Sequence, residues 1–150
     1  MSGFKLWWGI FWRMYFLIGL LAFPFAVLYA LLADLFLETV FAFKMKQTFL
    51  YIFIALSIYL ISKNKSLTHF YWKNVAPSSR NIEWINKSLL VVCLFASVMN
   101  MLFALLASTN AFVAAKLLIN SFVLFTTPIV LSIGIKFQYS KYGSELYNEK

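Results

Sequence analysis

The chain has 150 residues, of which 63% are apolar, 20% aromatic and only 12% charged, with a formal net charge of +8. A soluble domain of this size carries about twice that charged fraction, and here the apolar residues fall in long runs. Composition therefore excludes a soluble globular domain, a disordered chain and a disulfide scaffold. One His, one Cys and five carboxylates leave little for an enzyme in an aqueous pocket.

The first element is a run of 20 uncharged residues from 14 to 33. At about 1.5 Å per residue it matches a hydrocarbon core of roughly 30 Å, so a span is predicted over residues 14–34. It is too long for a signal-peptide core and lacks a small-x-small cleavage site at its end, so a cleaved leader is rejected. Before it, Trp7, Trp8, Trp12 and Tyr15 cluster beside Lys5 and Arg13. Such amphipathic rings favour headgroup depth, and the stretch 4–12 is expected to lie flat on the membrane before turning inward. Within the span, Gly19, Ala22, Ala26, Ala30 and Ala33 recur at spacings of three and four, one small-residue face of the kind that lets membrane helices approach closely. Pro24 removes a backbone bond from the same helix and predicts a modest kink.

Residues 47–62 are uncharged but few for a crossing. With Lys44 and Lys46 snorkelling to the interface, a second span over 41–62 is long enough. The segment 63–87 holds five basic residues and Glu83 and is read as a loop, with a turn at 74–79 and a short amphipathic helix around Ile82 to Ile85. Residues 88–115 form 28 uncharged positions, too many for one span, and Ser108, Thr109 and Asn110 interrupt them. Spans at 88–107 and 111–135 joined by a tight turn are predicted, followed by a tail over 136–150.

The expected fold is all-α: one domain over residues 1–150, four transmembrane helices packed as a small bundle. Ten of the thirteen Lys and Arg residues fall on the side shared by the N-terminus, the 63–87 loop and the tail. That asymmetry predicts both termini in the cytoplasm and a location in the cytoplasmic (inner) membrane. It also accounts for the net charge without phosphate contacts, so nucleic acid is not expected as a partner.

Apolar driving force does not hold helices together in lipid, so small residues and polar bonds must. Besides the face on the first span, Ala96 and Ala104 share a stripe with Asn100 and Ser108 on the third, each four apart. Asn100 and Asn120 each lie ten residues from Asn110 and so at similar depth in an antiparallel hairpin. Facing amides satisfy each other, and an interhelical Asn100–Asn120 bond is expected. The alternative is that both face a polar pathway or another protein's span.

No predicted span carries an ionisable residue at mid-depth, where transporters and proton relays usually place one. Asp34 and Glu38 sit beside Lys44 and Lys46 and read as charge balance; Lys116 reads as a snorkelling interface residue. His69 is alone and has no second ligand for a metal site, and Cys93 reads as a small apolar residue. Asn86, Lys87 and Ser88 match the glycosylation pattern but fall on the cytoplasmic side. No catalytic, metal or cofactor motif is present, so no enzyme activity and no cofactor are expected. The basic loop and tail admit two readings: contact with anionic lipid, or docking of a protein partner through His69, Tyr71, Trp72, Arg80, Trp84 and Lys141.

In size and span number the whole chain resembles bacteriocin immunity proteins and conjugative entry-exclusion proteins, although no residue motif carries over. The resemblance implies a non-enzymatic membrane protein that binds a toxin or another membrane protein, as an immunity, exclusion or accessory subunit. A homo-oligomeric transporter or pore component is the alternative. The small multidrug exporters share the four-span size but need a carboxylate in the first span, where this chain has Ala22, Phe23, Pro24 and Phe25.

Overall fold

A buried backbone in lipid must satisfy its own polar groups, and a continuous helix is the simplest way to do so. The computed structural model describes residues 3–33, 40–74 and 78–142 and follows that rule throughout. Five helices form among the described residues: α1 (Gly3–Ala33), α2 (Val40–Ser62), α3 (Lys65–Trp72), α4 (Ser79–Leu106) and α5 (Thr109–Tyr142). All but α3 are long and apolar enough to cross a membrane.

The helix ends follow local chemistry. Asn64 caps α3 by accepting the Leu67 amide at 3.1 Å, and Ser78 caps α4 by accepting the Asn81 amide at 3.2 Å. Such caps satisfy amides that the first turn leaves unpaired. The polar break at 108–110 is a tight turn: α4 stops at Leu106, and Ser108 accepts the Ala111 amide to start α5.

Three expectations about extent are corrected. The stretch 4–12 does not lie apart from the first span, because α1 is one helix from Gly3 through Pro24 to Ala33. Aromatic and basic residues mark the interface, but without glycine or proline pairs they do not break a helix. The short helix expected around Ile82 to Ile85 is the opening of α4 itself, and α5 runs past 135 to Tyr142. By rise per residue α1 and α5 are about 46 and 51 Å long, well beyond the hydrocarbon thickness.

The four long helices form an up-down-up-down ring. α2 packs most closely on α4, α4 on α5, α5 on α1 and, more sparsely, α1 on α2. α3 bridges α2 and α4 at the end that also holds the start of α1 and the end of α5. That end is basic, with Lys63, Lys65, Lys73, Arg80, Lys87 and Lys136.

The core runs through Ile10, Met14, Ile54, Ile58, Ile85, Leu89, Cys93, Ala96 and Leu131. Outside, Phe23, Phe95, Leu105, Leu118, Phe122 and Ile133 are exposed over the length of the helices. An apolar exterior around a sparsely charged interior is what a bilayer solvates and water does not. The molecule is a multi-pass membrane protein whose outer surface contacts lipid.

The face by which α1 joins the bundle differs from expectation. Leu6, Ile10, Met14 and Leu17 point inward, whereas Gly19 is exposed with open space beyond it and Ala26 is exposed. Ala22 is half-buried, and the side chain of Ala30 lies outside the described residues. Bulk filled the interior of the ring better than the small-residue face, which is left pointing outward. On α4 the stripe points inward, with Ala96 and Ala104 both buried.

Candidate functional site

Two places gather polar side chains. The first is inside the bundle, where α2 presents Lys44, Gln47, Thr48 and Tyr51 at helical spacing toward α4 and α5. The Asn120 carbonyl oxygen on α5 accepts hydrogen bonds from the Tyr51 hydroxyl at 2.7 Å and from the Gln47 amide at 3.2 Å. The expected Asn100–Asn120 bond is not formed. Asn100 is fully buried, and its amide donates instead to the Ala96 carbonyl of its own helix at 2.9 Å. Asn120 is turned toward α2 instead. Ser97 joins α4 to α2 by donating to the Thr48 carbonyl at 3.4 Å. Thr48 Oγ1 and Asn100 Oδ1 are buried and have no partner.

Toward the less basic end, each lysine is held by the fold. Lys44 donates to the Ala107 carbonyl at 2.7 Å, placing a cation on the C-terminal end of α4 where the helix dipole favours it. Lys46 lies 4.6 Å from the Tyr29 ring centre and Lys116 lies 5.8 Å from that of Phe43, within cation–π range. Asp34 and Glu38 lie outside the described residues.

The second place is the basic end. Of the residues expected to dock a partner, three are committed to the fold. Tyr71 donates its hydroxyl to the Arg13 carbonyl at 2.5 Å, and Arg13 donates back to the Tyr71 carbonyl at 3.2 Å. Burial raises the Tyr71 phenol pKa above its ordinary value, with the Arg13 guanidinium opposing. Trp72 is 1% exposed and donates its indole N–H to Asn86 at 3.2 Å. Trp84 packs against Gly134 of α5. A ring fixed in the interior is not available to a partner, so Trp72 is withdrawn from that role and Tyr71 and Trp84 are first of all structural. His69 and Arg80 are exposed, and the side chain of Lys141 lies outside the described residues. The internal ties of α3 left no separate signature in the sequence beyond Asn86, a polar residue two positions before the predicted span at 88.

Between the end of α2, α3 and the start of α4 lies an open cleft of about 520 Å³. The exposed side chains of Lys65, His69, Glu83 and Lys87 border it, and Ile58, Ile82 and Leu90 supply its apolar lining. Glu83 and Lys87 pair at 2.6 Å across one helical turn. No group of three His, Cys, Asp or Glu residues comes together among the described residues.

No family model matches the chain, and neither a curated protein nor a solved structure is found to be similar to it.

Proposed function

We propose that this chain is a non-enzymatic protein of the cytoplasmic membrane that binds another membrane protein or a toxin, as immunity, entry-exclusion and accessory subunits do. Its basic end and both termini face the cytoplasm, where an excess of Lys and Arg is normally retained. One observation carries the reading. In the apolar part of α1 only 17% of the residues are buried, against 33% in each of the other three spans. The face α1 turns outward includes Gly19 and Ala26. Small residues on an open helix face let a second helix approach to backbone distance, where dispersion and weak hydrogen bonds replace the missing apolar drive.

Site-specific crosslinking in the native membrane tests this. A photoreactive residue at Ala26 is expected to give one discrete adduct with a different protein, and the same residue at Leu94, on the exposed face of α4, none. An adduct of two copies of this chain favours the alternative, a homo-oligomeric transporter or pore component. The buried polar groups of Thr48 and Asn100 are the feature that supports that second reading. Lipid adducts alone at both positions refute both. Orientation is read separately: on intact cells a membrane-impermeant thiol reagent should label a cysteine placed at Thr109 and not one placed at Asn74.

A further inference from the structure

The cleft at the basic end has a vertical order. Ile58 and Leu90 belong to the apolar stretches of α2 and α4, while Glu83 lies about 10 Å farther along α4, by rise per residue. Its deep end therefore sits at the edge of the hydrocarbon and its rim at headgroup depth. The rim carries Lys65, Lys87 and His69 against one carboxylate, Glu83, which Lys87 already holds at 2.6 Å. Tyr59 forms one side, and the ammonium of Lys63 lies 4.7 Å from its ring centre, adding a cation at the cleft edge. Ser79, the first residue of the 28-residue α4, also borders the cleft, so the positive end of a long helix dipole faces the same space.

We propose that this cleft is a specific site for an anionic phospholipid, with the phosphate at Lys65, His69 and Lys87 and the first acyl carbons against Ile58 and Leu90. A free anion has no use for the apolar wall, and a zwitterionic lipid gains nothing from the surplus of positive charge. An amphiphile with a net negative head and an inward-pointing tail uses both. The cleft volume falls in the range that holds small ligands. Basic pockets between membrane helices bind such headgroups by the same combination of charge and depth.

Native mass spectrometry of the full chain in mild detergent tests the assignment, with phosphatidylglycerol and phosphatidylcholine of equal chain length supplied together. The wild-type chain should retain phosphatidylglycerol preferentially. Lys65→Gln and Lys87→Gln should each reduce that preference about fivefold, and Glu83→Gln should increase it. Lys136→Gln, at the same end of the bundle but outside the cleft, should leave it unchanged. Helical circular dichroism confirms that each variant is folded, which the exposure of these side chains favours. The assignment is overturned if the wild-type chain shows no preference, or if Lys136→Gln costs as much as the cleft variants. It is equally overturned if inorganic phosphate displaces phosphatidylglycerol at comparable concentration, since the site would then take the free anion.

Discussion

Replacing Gly134 with alanine places a methyl group where the Trp84 indole already sits. A Cβ at this position would lie 2.5 Å from Cζ2 and 2.8 Å from Cζ3 of Trp84, and closer still to Cη2. Contacts that short force the ring or the helix to move, and overpacking of this kind costs about 1–3 kcal/mol. Alanine also returns about 0.5–1 kcal/mol, because glycine in a helix interior is the weaker helix former. The net expectation is a loss of up to about 2.5 kcal/mol. A second substitution separates the two effects. Trp84→Leu removes the far ring that causes the clash, so in that background Gly134→Ala should be neutral or stabilising, giving a coupling of about 1–3 kcal/mol. The assay is reversible unfolding of the four chains in mixed micelles with increasing dodecyl sulfate, followed by circular dichroism. The α4–α5 contact is refuted if the effect of Gly134→Ala is the same, within about 0.3 kcal/mol, with leucine at position 84 as with tryptophan.

Three further outcomes are expected from the same assay. Asn120→Leu should cost about 1–2 kcal/mol by stranding the Gln47 and Tyr51 donors, Tyr51→Phe should add little in that background, and Asn100→Leu should add to Asn120→Leu independently, within about 0.5 kcal/mol. Trp72→Phe should cost about 2 kcal/mol, from the cavity it opens and the Asn86 oxygen it leaves unpaired; an unchanged unfolding midpoint would contradict the buried bond. Tyr71 links stability to alkaline pH. Its folded pKa is raised, with burial the main cause, so its contribution is complete below the ordinary value of a tyrosine and is lost as pH rises from there through the raised value. Tyr71→Phe should therefore flatten part of the decline in melting temperature as the pH rises above the ordinary value of a tyrosine, and a wild-type slope unchanged by that substitution would refute the link.

Span number and order were legible in the sequence because uncharged runs of span length have few alternatives in a bilayer. The turn at Ser108 was legible for the same reason: a serine that caps and a polar break coincide there. Helix ends were not, because nothing in 4–12 or 79–87 breaks a helix, and interface residues mark depth rather than termination. Polar partners failed on rotation. Counting from the turn addresses the height of Asn100 and Asn120 and says nothing of the direction each faces, which depends on all neighbouring helices. The missed signal was on α2, where Gln47, Thr48 and Tyr51 repeat at three and four and so predict a polar stripe facing inward. On α1 the small residues were legible as a face, but the sequence alone does not say whether a face turns to the chain's own interior or away from it. Leu6, Ile10, Met14 and Leu17 took the interior. In the basic segment the aromatic residues looked available to partners; Trp72 is instead the buried peg by which α3 is fastened to α4.

The ring closes between α1 and α5, and α1 leans on α5 more than on its sequence neighbour α2. Of the four long helices, the first in chain order thus finds its larger contact in the fourth. Until α5 has been inserted, α1 sits in the bilayer without its main support. A chain stalled before Thr109 has three of these helices but only the sparser α2 contact and the Arg13–Tyr71 bonds with which to seat the first.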